Sequence, residues 1–327
     1  MEARMNEKLL DWFREHPDQY ISGEELSRRL QITRTAVWKQ INVLRAKGYA
    51  FDAVPKLGYR LVTQPTRLDE AALLSKLAPG TFGNRLRILE KTESTQNEAA
   101  AWAKEGVSEG AVVLAEEQTG GRGRQGHVWH SPAGKGVWMS IILRPRIPLP
   151  YTPHLTLLGA VAMFRAMKKL TSAPLGIKWP NDILADGKKV AGILLESAAE
   201  DERLLYVIAG IGISVNLDSA DFPEELQERA TSLKIVTGQE VDRASLVAAC
   251  LQELEQLYRL YEEEGFAPIR TLWEAQSITL GRQMTIDTPQ GPLQGVAVGL
   301  DQSGALLLKD KTGTVQKVFS GDVHFSG

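Results

Sequence analysis

The chain has 327 residues, of which 43% are hydrophobic and 24% are charged, close to the average of soluble globular proteins. This composition argues against a disordered chain, and the length predicts two or three domains. The single cysteine, Cys250, excludes a disulfide framework and a multi-cysteine metal site. No apolar stretch approaches the roughly 18 residues of a membrane span. The N-terminus also shows no long apolar segment of a signal peptide. We therefore expect a cytoplasmic protein with no membrane partner.

The formal net charge of −2 conceals an uneven distribution along the chain. Residues 1–63 contain 11 Lys or Arg and 8 Asp or Glu, a net charge of +3, which leaves −5 on the remainder. Within residues 26–60, eight basic residues accompany a single acid, Asp52. The average charge of the whole chain argues against a nucleic-acid-binding protein, but this basic segment is typical of one.

Residues 1–63 predict three helices followed by a β-hairpin. Ser22 and Glu25 form a capping box at the start of the second helix. Thr33 can cap the third helix, whose apolar face carries Val37, Ile41 and Leu44. The segment YAFDAVPKLGYRLV then predicts two short strands around a turn. This order is typical of a winged helix-turn-helix, in which the third helix enters the major groove of DNA.

The predicted DNA-binding residues lie on the polar face of the third helix and on the wing. They are Arg34, Thr35, Lys39, Asn42 and Lys56. We interpret Trp38, on the same helix, as a packing residue, because an aromatic side chain on such a helix packs more often than it stacks on bases. The alternative for this segment is a helical bundle with an ordinary solvated surface.

Beyond the first 63 residues the pattern changes twice. Residues 63–67, TQPTR, predict a linker. Helices and strands then alternate, with helices predicted at 69–77, 96–104, 154–170 and 245–264 and strands at 111–115 and 137–143. From residue 278, Asp-x-x-Gly turns separate short alternating strands and predict an antiparallel β-barrel of about 50 residues. The expected fold class is α+β, with domains at 1–63, 68–277 and 278–327.

The segment EEQTGGRGRQGHVWHSPAGKG is the densest in glycine and basic residues. Six glycines fall between Gly120 and Gly136, together with Arg122, Arg124 and Lys135. Three known glycine loops are excluded. The dinucleotide fingerprint requires a helix after the loop, and none follows here. A kinase loop is excluded because the chain lacks the HRD and DFG elements. A Walker loop is excluded because His127 stands where that loop needs lysine. The backbone N–H groups and arginines suit a phosphate or a developing oxyanion. A flexible nucleic-acid-binding segment is the alternative.

A second cluster, IKWPNDILADGKKVAGILLES, predicts a hairpin with a tight turn at Asp186-Gly187. Lys178 and Lys189 flank this hairpin, and Lys189 precedes an apolar strand, so its ammonium should be partly buried. Asn181 and Asp182 together can hold a hydrated Mg²⁺ or a nucleotide. Further on, a glycine-interrupted strand at 209–213 indicates a close backbone or ligand approach.

These segments together resemble the bifunctional bacterial biotin–protein ligases, the biotin-operon repressor family. The winged helix, the GRGRxG loop followed by Trp, KWPND, KKVAGIL and GIGxxVN occur in the family's order. The resemblance implies a central mixed-sheet ligase domain with flanking helices and an SH3-like C-terminal β-barrel. It implies an ATP-dependent, Mg²⁺-requiring enzyme that forms biotinyl-5'-AMP and transfers biotin to a lysine of a biotin carboxyl carrier domain. It also implies a homodimer, formed with bound adenylate, that represses operator DNA of biotin genes.

The same resemblance assigns site residues. The implied biotin-binding residues are Ser94, Thr95, Gln96, Gln118, Arg122, Gly123, Arg124, Lys189 and Gly192. The implied ATP-binding residues are Arg124, Trp129, Lys178, Asn181 and Asn216. Lys189, Arg122 and Arg124 are the expected catalytic cations, and Asp182 is the candidate Mg²⁺ ligand. Residues 216–226, NLDSADFPEEL, match the segment that folds over the adenylate.

Two positions depart from the family pattern, and two other functions stay open. His127 stands where many members carry Arg, and Ser214 stands where many carry Asn. The loss of the arginine removes one permanent cation, which would make charge neutralisation weaker or pH-dependent. One alternative function is a transcription factor that senses biotin without catalysis. The other is a lipoate or octanoate transferase, although such enzymes ordinarily lack the winged helix and KWPND.

Overall fold

The computed structural model describes residues 2–16, 18–46, 49–63, 67–77, 80, 82–201 and 203–325. The chain divides into two compact units, residues 1–67 and 68–327, and each contains a hydrophobic core. Within the described ranges, no helix has both the length and the apolar composition needed to cross a membrane.

The first unit contains three helices and an antiparallel hairpin: α1 (Glu2–Glu15), α2 (Gly23–Leu30), α3 (Arg34–Ala46), β1 (Ala50–Val54) and β2 (Gly58–Thr63). Both predicted N-cap residues accept a hydrogen bond, since Ser22 Oγ accepts the Glu25 N–H and Thr33 Oγ1 accepts the Ala36 N–H. Only this half of the predicted capping box is present, because the Glu25 carboxylate pairs with Arg29. The apolar face of α3 is buried against the core through Val37, Ile41 and Leu44. The predicted winged helix-turn-helix is confirmed.

Trp38 differs from its prediction. Its side chain is 55% exposed on α3, so the interpretation as a packing residue is wrong. Around the helix axis Trp38 is rotated by about 100° from Val37 and by about 60° from Ile41, so it lies at the border between the buried and the polar face. Its side chain extends into solvent there. Residues 64–66 of the predicted linker lie outside the described residues.

The second unit is built on a seven-stranded mixed sheet, as predicted. Its strands are β3 (Leu86–Thr92), β4 (Val112–Gln118), β5 (Gly136–Leu143), β6 (Leu175–Lys178), β7 (Asp182–Ala185), β8 (Lys188–Glu200) and β9 (Arg203–Ser214). Their order in the sheet is β3-β4-β5-β9-β8-β7-β6. The β3–β4 pair is parallel and the other neighbours are antiparallel.

Helices cover both faces of this sheet. They are α4 (Glu70–Lys76), α5 (Thr95–Lys104), α6 (Thr152–Leu170), α7 (Glu224–Gln227), α8 (Leu233–Thr237), α9 (Arg243–Glu264) and α10 (Phe266–Gln276). Val113 packs with α5 in one core, whereas Val112 and Leu114 pack with α6 and α9 in the other. Successive strand residues thus enter opposite cores, as the β-pleat requires.

A buried ion pair joins the start of α9 to the sheet. The Arg243 guanidinium lies 2.8 Å from Glu116 on β4 and donates a second hydrogen bond to the Gly136 carbonyl on β5. The second Glu116 oxygen accepts the Leu68 N–H. The pair therefore holds together the end of β4 and the beginning of β5, between which the glycine-rich loop emerges.

The last segment forms a five-stranded antiparallel sheet with the order β13-β12-β11-β10-β14. The strands are β10 (Gln283–Thr288), β11 (Gly291–Leu300), β12 (Leu306–Lys309), β13 (Val315–Val318) and β14 (Asp322–Phe325). Both predicted turns form, because the carboxylates of Asp301 and Asp310 accept backbone N–H groups of their own turns. The compact unit 68–327 spans the second and third expected domains, whose boundary at 277/278 stays a prediction.

Candidate active site and DNA-binding surface

Several segments of the second unit meet at the central sheet and line a cavity, and five of them supply most of its lining residues. They are the start of α5, the end of β4 with the glycine-rich loop, the 181–182 turn, the start of β8 and the end of β9. All nine residues expected to bind biotin line it, as do Trp129, Asn181 and Asp182. The other lining residues are His127, Val128, Met139, Ile193, Leu194, Gly210, Ile211, Gly212 and Asp322.

The floor of the cavity is a buried hydrogen-bond network around the start of α5. Ser94 caps the helix by accepting the Gln96 N–H, and both side chains are almost completely buried. The Thr95 N–H and hydroxyl donate to Gln118 Oε1 at 2.8 and 3.1 Å. Gln118 Nε2 in turn donates to Ser131 Oγ. These bonds leave little rotational freedom to the groups that face the cavity.

Glu196 on β8 organises the next layer and was not identified from the sequence. Its carboxylate accepts two hydrogen bonds from Arg122, at 2.9 and 2.7 Å, and a third from Gln96 Nε2 at 3.1 Å. The hydrogen bond to Glu196 is the main cause that raises the pKa of Arg122. Arg122 also donates to Asn97 Oδ1. Its charge is thus balanced within the protein by Glu196, a partner that the sequence did not indicate.

Arg124 remains available in the cavity. Its Nη1 donates to Asn181 Oδ1 at 3.3 Å, and Asn181 Nδ2 donates to the Ile193 carbonyl at 2.7 Å. The loop around Arg124 is folded back on itself, since the Gly123 N–H donates to the His127 carbonyl at 2.7 Å. An oriented guanidinium of this kind can bind a phosphate or a carboxylate.

Lys189 faces the cavity from the start of β8. Its Nζ lies 2.7 Å from Asp182 Oδ1 and 5.1 Å from the centre of the Trp129 ring. Its backbone is fixed on both sides, because the Lys189 N–H donates to the Arg229 carbonyl and the Thr231 N–H donates to the Lys189 carbonyl. As predicted, the ammonium is partly buried, with 34% of the side chain exposed.

Two glycines allow the Trp129 indole to lie across the strands. A Cβ on Gly212 would lie 2.5 Å from Trp129 Nε1, and one on Gly192 would lie 3.1 Å from the ring and 3.0 Å from Lys189 Cε. The Gly212 distance is too short for any side chain, whereas the Gly192 distances are tight contacts that require a small shift of the neighbours. The glycine-interrupted strand therefore serves a close approach, as expected. Trp129 Nε1 is buried and has no hydrogen-bond partner among the described residues.

Two predicted ATP-binding residues do not line the cavity. Lys178 lies opposite Asp182 in the antiparallel pairing of β6 with β7. Burial lowers the pKa of Lys178. Asn216 is buried, and its carboxamide exchanges two 2.9 Å hydrogen bonds with the Val241 backbone. The structure thus uses Asn216 to hold the chain before α9, so its geometry does not support the predicted contact with ATP.

The segment predicted to fold over the adenylate packs beside Trp129. Leu217 and Phe222 are buried with Trp138, and Trp129 packs against this cluster. Asp218 forms ion pairs with Lys135 and Lys234. The segment is therefore anchored at both its apolar and its charged positions.

Asp322 and Glu196 are the carboxylates that the sequence did not reveal. Asp322 reaches the cavity from the C-terminal sheet, and no local pattern distinguishes it. Glu196 had a signal, because it is the one acid that follows an apolar run in β8. Of the two departures from the family pattern, His127 lines the cavity, and Ser214 is buried at the end of β9, opposite Gly136 at the start of β5.

The predicted DNA-binding residues all lie in the first unit. Arg34, Thr35, Lys39 and Lys56 are exposed, and Asn42 is half-buried. Arg34, Lys39 and Lys56 make no hydrogen bond or ion pair with any described residue. The other described arginines between residues 26 and 60 all bond within the unit: Arg28, Arg29, Arg45 and Arg60.

Three family models match the chain. The Biotin/lipoate A/B protein ligase family matches residues 88–214, an HTH domain matches residues 6–60, and the Biotin protein ligase C terminal domain matches residues 279–326. Their order along the chain is the order of the winged helix, the central sheet and the C-terminal sheet.

Similarity to individual proteins extends over the whole chain. The chain is 43% identical over 324 residues to the bifunctional ligase/repressor BirA of Bacillus subtilis, covering 99% of each. It is 36% identical to the biotin–[acetyl-CoA-carboxylase] ligase of Paracoccus denitrificans, covering 73% of this chain and 100% of that protein. The solved biotin protein ligase from Aquifex aeolicus, in complex with biotin and ATP, matches at TM-score 0.65 and 30% identity, covering 74% of this chain and 99% of that chain.

Proposed function

The chain belongs to the bifunctional ligase/repressor family of biotin protein ligases, and from this premise we propose its reaction and its partners. It joins biotin and ATP to form biotinyl-5'-AMP and transfers biotin to a lysine of a biotin carboxyl carrier domain. It also represses operator DNA of biotin genes. The observation that carries this proposal is the convergence of nine predicted biotin-binding residues, from separate segments, on one cavity.

In the first step, a carboxylate oxygen of biotin attacks the α-phosphorus of ATP, and the bond to pyrophosphate breaks. Both reactants are anions, so the barrier includes their mutual repulsion. Arg122, Arg124 and Lys189 are cations that line the cavity, and we propose that Arg124 and Lys189 hold the carboxylate and the α-phosphate in line. We assign Arg122 to positioning, because Glu196 already balances its charge.

In the second step, the Nζ of the carrier lysine attacks the acyl carbon of the adenylate. The new amide bond forms, the C–O bond of the mixed anhydride breaks, AMP leaves, and the amine proton goes to solvent. No nucleophile from the enzyme is required. Lys189 and Arg124 can stabilise the oxyanion that develops on the acyl group.

We further propose that Mg²⁺ is held by Asp182 and the phosphates of ATP. Mg²⁺ usually binds through one or two carboxylates together with substrate phosphates. Asp182 supplies such a carboxylate at the cavity. The described residues contain no cluster of three or more His, Cys, Asp or Glu that could bind a metal by themselves. When bound, the ion would neutralise phosphate charge.

Pyrophosphate release tests the ligase function against its alternatives. The protein mixed with biotin and ATP should release pyrophosphate and retain radiolabelled biotin. Retention of biotin without release of pyrophosphate would favour the transcription factor that lacks catalysis. Retention of lipoate but not of biotin would favour the lipoate transferase. Addition of a biotin carboxyl carrier domain should then transfer the label to that domain.

For repression, we propose that the adenylate-bound protein forms a homodimer on operator DNA in the cytoplasm. The unpartnered cations Arg34, Lys39 and Lys56 would bind phosphates of the operator. Repressor dimers of this class bind two half-sites, so dimer formation doubles the number of contacts. A doubled contact set would compensate for the modest net charge of +3 on residues 1–63.

A further inference from the structure

The first unit exposes an indole among its predicted DNA-binding residues. Trp38 is 55% exposed on α3. Arg34 and Asn42 lie one turn before and after it, and Thr35 and Lys39 lie beside it. Residues three or four positions apart share one face of a helix. The indole therefore stands near the middle of the surface that would enter the major groove.

A single exposed apolar side chain is ordinary and carries no functional meaning by itself. Trp38 differs because of the cations around it. Arg34 and Lys39 have no hydrogen-bond or ion-pair partner in the part of the chain that the structure describes, whereas Arg29 is paired with Glu25 at 2.9 Å. A surface that combines unpartnered cations with an exposed indole is complementary to a polyanion with apolar features.

We propose that Trp38 contacts the C5-methyl group of a thymine in the major groove of the operator. This inference rests on the proposed repressor function. In the major groove, the thymine methyl is the apolar group among the base edges; the other groups are hydrogen-bond donors and acceptors. An indole offers a large apolar surface and one donor, so it suits the methyl group better than a purine edge. Arg34 and Lys39 bind the phosphates beside it.

These two kinds of contact differ in their dependence on salt. A phosphate contact releases counterions, so its loss reduces the slope of log K against log salt by about 0.9. A contact with a methyl group releases no counterions. Loss of Trp38 should therefore weaken binding without changing the slope, and should reduce the preference for the operator over random DNA.

The test uses the full-length protein with biotin and ATP. A DNA duplex is first selected from a random pool by the wild-type protein, and a second version is made in which deoxyuridine replaces thymine. Affinities are measured over a range of salt for wild type, Trp38→Ala, Trp38→Phe and Lys39→Ala. Leu74→Ala, which removes a 44% exposed side chain from α4 in the other unit, is the matched control.

We expect Trp38→Ala to bind the selected duplex about tenfold more weakly with an unchanged salt slope. The affinity of Trp38→Phe should lie between those of Trp38→Ala and wild type. Lys39→Ala should reduce the salt slope, and Leu74→Ala should change neither the affinity nor the slope. Replacement of thymine by deoxyuridine should lower the affinity of the wild-type protein for the duplex. The same replacement should leave the affinity of Trp38→Ala unchanged. Thermal unfolding shows whether each variant is folded. If Trp38→Ala is unfolded, the comparison of Trp38→Phe with wild type is the test.

Different failures have different meanings. If the wild-type protein enriches no sequence, the repressor function fails and the inference fails with it. If it enriches a duplex that both Trp38 variants bind as well as wild type, the inference alone is overturned. An equal effect of deoxyuridine on wild type and on Trp38→Ala would also overturn it.

Discussion

At the scale of single residues, Lys189 is a cation of the cavity that is held at both its backbone and its ammonium. Its backbone is bonded on both sides to residues 229–231, and its ammonium lies between Asp182 and the Trp129 ring. The pair with Asp182 orients the ammonium before substrate arrives. A carboxylate or phosphate that enters the cavity meets a cation that is already in place, which reduces the reorganisation needed during the reaction.

We predict that Lys189→Ala lowers the rate of adenylation at least about 100-fold, because one oxyanion-stabilising group commonly contributes a factor of about 10² to 10³. The measurement is pyrophosphate release with saturating biotin and ATP. Lys188→Ala is the matched control, since this neighbouring lysine points to the Gln227 carbonyl and not into the cavity. A rate for Lys189→Ala equal to that of wild type would show that this catalytic assignment is wrong.

A substitution at Gly212 tests whether biotin binding depends on the close approach of Trp129 to β9. We predict that Gly212→Ala raises the KM for biotin about tenfold, because the new Cβ would lie 2.5 Å from Trp129 Nε1 and displace the ring; overpacking of this kind typically costs about 1–3 kcal/mol. Gly159→Ala on α6 is the control, since its Cβ would meet Ile193 at an ordinary 3.6 Å. An unchanged KM in Gly212→Ala would contradict the importance of this contact.

At the scale of elements, β8 and β9 build the cavity through the period of a strand. Gly192, Leu194 and Glu196 alternate along β8 and face the same side. Gly210 and Gly212 do the same on the neighbouring β9, where a Cβ would strike Gln96 or Trp129. Two adjacent strands thus present glycine to the ligand side and branched apolar residues to the core on the opposite face.

The docking of the C-terminal sheet onto the helices depends on a buried histidine. The His154 ring is stacked on Phe266 at 3.8 Å, and its two nitrogens bond to the Tyr261 hydroxyl and the Gln302 carbonyl. Burial is the main cause that lowers the pKa of His154 below its ordinary value of 6.5. The folded protein therefore binds a proton at this position less readily than the unfolded chain does.

This shift predicts a pH dependence of stability. As the pH falls below about 6.5, the unfolded chain gains a proton first, so the free energy of unfolding decreases by at most about 1.4 kcal/mol per pH unit until the folded pKa is reached. Above this range the contribution is constant. Thermal unfolding between pH 5 and 7.5 should show a smaller loss in His154→Gln, which does not titrate, than in wild type.

The control for this measurement is His324→Gln, which changes an exposed histidine on β14 of the C-terminal sheet. Its curve should follow that of wild type. If the unfolding temperature falls with pH equally in wild type and in His154→Gln, another group dominates the acid sensitivity of the fold.

At the scale of the whole molecule, the near-neutral charge is the sum of two different surfaces. Residues 1–63 carry +3 and the remainder carries −5. A basic unit of this size has a weak electrostatic attraction for DNA as a monomer, and its affinity would depend on how many such units bind together. Ligand-dependent dimer formation would therefore set the affinity for the operator.

We predict that the mass of the protein in solution doubles when both biotin and ATP are present, and that neither ligand alone has this effect, because the proposed dimer forms with bound adenylate. Light scattering after size exclusion provides the measurement. Lys189→Ala, which should form little adenylate, should remain monomeric under the same conditions. A wild-type mass that stays unchanged with bound adenylate would contradict the dimer model.

Much of this protein follows from the sequence by itself. Helical period, caps and turn residues are local properties, and they correctly predicted the winged helix-turn-helix, the alternation of helices and strands and the antiparallel C-terminal module. The mixed sheet with its flanking helices was implied by the family resemblance. The glycine-rich loop, the KWPND segment and the β8 lysine were also recognisable, because glycine and cations near strand ends have a local chemical meaning.

Tertiary structure alone decided which of these groups are free to act. The Glu196 carboxylate pairs with Arg122 across 74 positions of the chain, and the Asn216 carboxamide bonds to the Val241 backbone. Asp322 entered the cavity from another sheet, and Trp38 was left exposed on α3. The physical reason is that charge pairing and burial depend on distances in space, which the order of residues along the chain does not specify.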